Sequence, residues 1–186
     1  MRTIIEALRK LHNAVFGLVE RITDGWFFGL FCRFVFAATL YIYYLNSAKT
    51  KVGDGILGFF QISSGAYFQI APTAMAAVDN EPSALSFPVH LMVIAGTYGE
   101  FILPLLVIFG LFARVGAVGM IVFIVVQTFV DATAHGVALG AWFDRMPTDI
   151  LDQRTFWVVP LLYVAIKGPG LISLDYPLSR WWRNRA

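Results

Sequence analysis

The sequence predicts an all-α fold: a polytopic membrane four-helix bundle with an amphipathic N-terminal helix and a long extracytoplasmic loop. Three observations lead there. Hydrophobic residues make up 58% of the 186-residue chain and charged residues 14%, against about 45–50% and about 25% in soluble domains. Four apolar segments follow one another, three of them near the ~20 residues that cross a ~30 Å hydrocarbon core. Glycine-marked breaks separate or end them, at Gly110 before Arg114 and at Gly168-Pro169-Gly170. A water-soluble fold of this size would leave large apolar patches against water, whereas lipid as solvent removes the problem. The length fits one domain, residues 1–186, with no second soluble module.

Residues 1–24 place Ile4, Ile5, Leu8, Leu11, Val15, Leu18, Val19 and Ile22 at helical spacing, with Arg2, Arg9, Lys10, Glu20 and Arg21 between them. That is an amphipathic helix too polar to span, suited to the headgroup plane or to packing on its own bundle. Glu6 and Glu20 interrupt its apolar character, so it does not read as a signal peptide. The spanning segments run over about 26–47, 87–111, 115–134 and 155–168. The fourth is short, about 13 residues or ~20 Å before its glycine break, with Lys167 placed to reach the interface. Residues 48–86 form a long connection whose middle, GILGFFQISSGAYFQIAPTAM, is too apolar for a free loop. It reads as a cap or shallow re-entrant piece, because long ordered loops in compact domains carry function.

Topology follows from charge. Arg2, Arg9, Lys10, Arg21, Arg114, Lys167, Arg180, Arg183 and Arg185 fall on one side. The long connections opposite hold Lys49, Lys51, Arg145 and Arg154 among seven acids. The positive-inside rule puts both termini in the cytoplasm of a bacterial-type inner (plasma) membrane. Trp26, Trp181 and Trp182 mark the inner interface, and Trp142 and Trp157 the outer.

Arg33 and Glu100 are the sharpest chemical signals. A charge at membrane depth costs about 2.5–3.5 kcal/mol, so each should face the bundle interior and find a partner. By helical rise they lie ~10 Å and ~15 Å above the inner ends of their segments. A long arginine could bridge that gap, although its lean is toward its own N-terminus. A register-fixing ion pair and a proton or substrate site fit equally. Gln127, Asp131 and His135 recur at i, i+4 along one face of the third segment, with His90 at comparable depth. They form a polar pocket, with Asp131, His135 and His90 as weak metal candidates. Tyr44 lies three turns from Arg33 on nearly the same face. It belongs either to an interfacial aromatic belt with Tyr41 and Tyr43 or to the same cavity, whose aromatics and few donors would suit a flat quinone head.

The net charge of +2 gives no case for a nucleic-acid partner. The single cysteine, Cys32, excludes an internal disulfide and reads as an inert buried thiol. No GxGxxG, P-loop, CxxC, CxxCH, HExxH or GxSxG pattern occurs, so nucleotide, c-type haem and hydrolase chemistry have no support.

Three stretches resemble the DoxX family of small four-helix membrane proteins, related to DoxD, the membrane subunit of thiosulfate:quinone oxidoreductase. RFVFAATLYIYY from Arg33 looks like the arginine-led first helix. GEFILPLLVIFGLFAR, Gly99 to Arg114, looks like the glutamate and leucine-rich run ending Gly-Leu-x-x-Arg. KGPGLISLD, Lys167 to Asp175, looks like the closing Gly-x-Gly-x-x-Ser-Leu-Asp. The chain departs at Leu45-Asn46-Ser47-Ala48-Lys49, where the family has a glycine-lysine stretch, and at Ala113, where it has threonine. The resemblance implies association with redox or thiol-stress systems, and no residue here identifies a sulfur substrate.

Three functions are compatible with these features, in this order. The first is a membrane component of a redox-linked system, with quinone as ligand and at most a subunit role in an oxidoreductase. The second is a non-enzymatic anchor for a soluble partner. The third is a small proton-linked or metal transporter, which would need a homo-oligomer; Gly96, Gly99, Gly116 and Gly119 offer close-packing surfaces for one.

Overall fold

The computed structural model describes residues 2–144 and 148–185; Arg145, one of the outer charges, lies outside them. The described chain is 74% helical with no strand, so the all-α expectation holds. Among the described residues three helices are long and apolar enough to cross a membrane: Phe27–Lys49, Phe87–Phe109 and Ala113–Thr133. They match the first three segments to within two residues at each end.

Helix α1 (Arg2–Thr23) is as amphipathic as its spacing demanded. Its apolar face, Ile4 through Ile22, is exposed along its whole length. Asp24, Gly25 and Trp26 connect it to the first membrane-length rod. That rod is three pieces end to end: α2 (Phe27–Phe36), a π-helical turn (Ala37–Tyr41) and α3 (Ile42–Lys49). A π turn holds one residue more than the α ladder needs, and so rotates the helix beyond it.

The connection over 50–86 is structured. Short helices α4 (Gly55–Gly58), α5 (Ser64–Ile70) and α6 (Pro72–Ala76) and a 3-10 turn (Pro82–Ala84) succeed one another. Ala66 and Ala71 bury against Val93. Tyr98 Oη donates to the Phe59 carbonyl at 2.9 Å, tying the connection to helix α7 (Phe87–Phe109). The apolar middle is therefore a lid on α7.

Helix α7 ends at Gly110, whose φ of +66° closes the turn through Leu111 N–H to the Leu106 carbonyl at 3.0 Å. Helix α8 (Ala113–Thr133) starts at once, and α9 (Ile150–Lys167) and α10 (Asp175–Arg183) come after it. The fourth segment thus begins five residues before the expected Thr155. Its 18 residues give about 27 Å rather than ~20 Å. Asp152 and Arg154 disguised the first turns, because charge in sequence reads as loop.

The rods close on one another: α2 packs on α7 and α9, α3 on α7, and α8 on both α7 and α9. Phe36, Leu40, Tyr44, Met120, Ile124 and Leu161 fill the space between them. Large apolar side chains such as Phe34, Ile102, Val122 and Phe129 point outward instead, the pattern expected where the surrounding solvent is hydrocarbon. Three of the four glycines read as oligomer surfaces, Gly96, Gly116 and Gly119, pack closely inside the chain, while Gly99 has only ordinary contacts. A Cβ on Gly119 would meet Leu103 Cδ2 at 2.8 Å, one on Gly116 Leu106 Cβ at 2.8 Å, and one on Gly96 Ile70 Cδ1 at 3.0 Å.

Candidate functional site

The two intramembrane charges do not pair with each other. Arg33 leans toward its own N-terminus, as helical side chains do. Its Nε donates to the Gly29 carbonyl at 3.3 Å and its Nη1 to the Ile108 carbonyl at 3.2 Å, while Nη2 donates to the Ile172 carbonyl. Ile108 and Ile172 offer carbonyls left open where a helix ends or turns, and Gly29 offers one from the preceding turn of α2. Asp175 completes the joint: its carboxylate accepts from Phe112 N–H at 2.7 Å and Ala113 N–H at 2.9 Å, capping α8 from far along the chain. The fit is close. A Cβ on Gly29 would stand 2.4 Å from the Pro169 carbonyl oxygen, and one on Gly110 2.5 Å from Arg33 Nη1. The three stretches that carry the family resemblance therefore meet at one end of the bundle, where they join helix ends.

Glu100 is paired with Lys51, which lies two residues beyond α3. Lys51 Nζ stands 2.8 Å from Glu100 Oε2 and 3.1 Å from Oε1, and donates to Ser47 Oγ at 2.7 Å. Ser47 Oγ in turn donates to Glu100 Oε1 at 3.2 Å. Lys51 is 3% exposed and Glu100 5%, so the pair is sealed, with several hydrogen bonds to offset the loss of water.

The packing also leaves polar atoms without partners. The Tyr44 and Thr97 hydroxyls, the Gln127 amide oxygen, and Nε and Nη1 of Arg154 are buried with no hydrogen-bond partner among the described residues. Each such group costs about 1–3 kcal/mol. Thr97 lies one turn from Glu100, and Tyr44 one turn from Ser47. Tyr44 is within electrostatic reach of both Glu100 and Arg154. Aromatic contacts run through this region, from Arg154 over Trp157 to Tyr43, Tyr44 and Phe123. Tyr44 is thus an interior residue and Tyr43 half-exposed, and Trp157 packs partly inward.

The polar face of α8 divides among separate partners. Gln127 donates to Tyr43 Oη at 2.7 Å, and Asp131 is ion-paired with Arg154. His135 Nε2 lies 3.3 Å from the Gln69 carbonyl, and His90 Nδ1 2.9 Å from Tyr67 Oη. The three weak metal candidates are therefore not brought together, and no metal-holding group of three His, Cys, Asp or Glu occurs among the described residues. The i, i+4 spacing set a common face, but distance along that face gave each residue a different neighbour.

Lys51 and Arg154 do not stand out in the sequence, where both count as loop charges. The available signal is weak: Lys51 comes four residues after Ser47, and Arg154 precedes Trp157 by three. No family model, no curated protein and no solved structure matches the chain.

Proposed function

We propose that this chain is a multi-pass four-helix membrane protein with both termini cytoplasmic, acting as the membrane component of a redox-linked system and taking a quinone head group in the outer half of its bundle. One observation carries the reading: the unpartnered Tyr44 and Thr97 hydroxyls, each one turn from a member of the sealed Lys51–Glu100–Ser47 cluster. Two hydroxyl donors in an aromatic surround suit a flat ring with carbonyl acceptors. The asymmetry of basic residues supports the orientation, and the resemblance to DoxX proteins supports the redox setting. Helix α9, polar at its start, crosses as the fourth rod because Arg154 is neutralised by Asp131.

Purified protein extracted with organic solvent should yield ubiquinone or menaquinone, and added quinone should raise its melting temperature. Tyr44→Phe removes an unsatisfied hydroxyl, so it should hold or raise the stability of the free protein while abolishing the quinone-induced shift. If no quinone is extracted and none alters the melting temperature, the reading fails. The exposed apolar face of α1 favours a second reading, an anchor for a soluble partner. That partner would co-purify in mild detergent.

A further inference from the structure

A groove runs between helices α8 and α9 at the end of the bundle where α9 begins. The groove between them has a volume of about 620 Å³ and is lined by Ile124, Phe129, Leu151, Val159 and Leu162, with Arg154 in its wall. Phe129, Val159 and Leu162 are among the outward-facing apolar residues, so the groove opens to the surrounding hydrocarbon. Along α9 it extends from Leu151 to Leu162, about 17 Å of helix. That is slightly more than half of a ~30 Å hydrocarbon core, the depth one acyl chain occupies.

Arg154 supplies the second observation. It is 6% exposed and ion-paired through Nη2 with Asp131, yet Nε and Nη1 have no acceptor. It stands one turn inside the start of α9, about 6 Å from its end, within side-chain reach of the ester oxygens that a phospholipid carries at the top of its acyl chains. Because Asp131 balances the charge, the guanidinium needs only an acceptor oxygen. Neighbouring atoms close over its nitrogens, so that oxygen meets them when the guanidinium turns toward the groove its own side chain lines.

We propose that the α8–α9 groove binds one phospholipid from the leaflet at the α9 N-terminus, with an acyl chain along the apolar track and a head-group oxygen accepting from Arg154. The site stands apart from the quinone reading, since it uses neither Tyr44 nor Thr97.

The test is native mass spectrometry of the full-length, delipidated protein titrated with 1-palmitoyl-2-oleoyl-phosphatidylglycerol. One lipid should bind saturably per chain. Val159→Trp, which fills the groove from an exposed position, should weaken binding at least tenfold, and so should the charge-pair variant D131N/R154Q. Val118→Trp, on α8 outside the groove, should not. Should the charge-pair variant fail to fold, Arg154→Lys is read in its place, because it keeps the charge and loses the fork of donors. Equal binding by all variants overturns the site. Loss in Val159→Trp without loss in the charge variant overturns the head-group contact. Displacement of the lipid by equimolar ubiquinone overturns the choice of occupant.

Discussion

Burial gives Lys51 and Glu100 opposite behaviour when changed singly and together. Removing one partner strands a charge in the bundle and should cost about 3–5 kcal/mol, whereas replacing both with apolar groups of similar size is about neutral or stabilising. Lys51→Met should therefore lower the melting temperature in detergent sharply, and K51M/E100L should recover most of the loss. Additive losses in the double variant would show that the pair is uncoupled. The sequence identified Glu100 because a carboxylate inside a 23-residue apolar helix is conspicuous. It hid Lys51 because two residues past a helix end look like solvent, and only the fold shows that a four-carbon stem reaches back to Ser47. Arg33 was equally conspicuous, yet its acceptors are carbonyls, which carry no side-chain signature.

At the scale of elements, the π turn over Ala37–Tyr41 sets which face α3 presents. Thr39 is exposed on the outer side of that turn. Deleting it should restore an unbroken α ladder and rotate α3 by about 100°, carrying Tyr44 and Ser47 away from Glu100. Such a protein should still insert, lose about as much stability as Lys51→Met, and lose little more when the two changes are combined. Fully additive losses would separate the turn from the pair. The cap on α8 belongs to the same scale. Asp175→Ala leaves two amide donors open and should cost about 1–2 kcal/mol, read by thermal unfolding. Boundaries of the three apolar rods were legible because hydropathy alone decides them. The start of α9 was not, because the partner that neutralises Arg154 in its first turns, Asp131, sits on another helix.

For the whole molecule, orientation is open to direct measurement. With Cys32 replaced by serine, Asp79→Cys in the lid should react with an impermeant maleimide on intact cells. Ser179→Cys in α10 should react only after lysis. The reverse pattern would invert the topology. Composition and hydropathy made the helical, membrane-compatible character readable, since both are sums over many residues. The interior chemistry rests on a few contacts between distant segments, and no sum reveals those.

The joint at Arg33 also imposes an order in time. Its acceptors lie 75 and 139 residues further along the chain, at Ile108 and Ile172. At about 5–20 residues per second, synthesis reaches the second of these about 7–30 s after Arg33 itself is made. For about the first 4–15 s only the Gly29 carbonyl is available to the guanidinium, and Ile108 then joins it before Ile172 exists. The joint at Arg33 is therefore completed only after the stretch beyond α9 has been made, so a later segment fixes the packing of an earlier one.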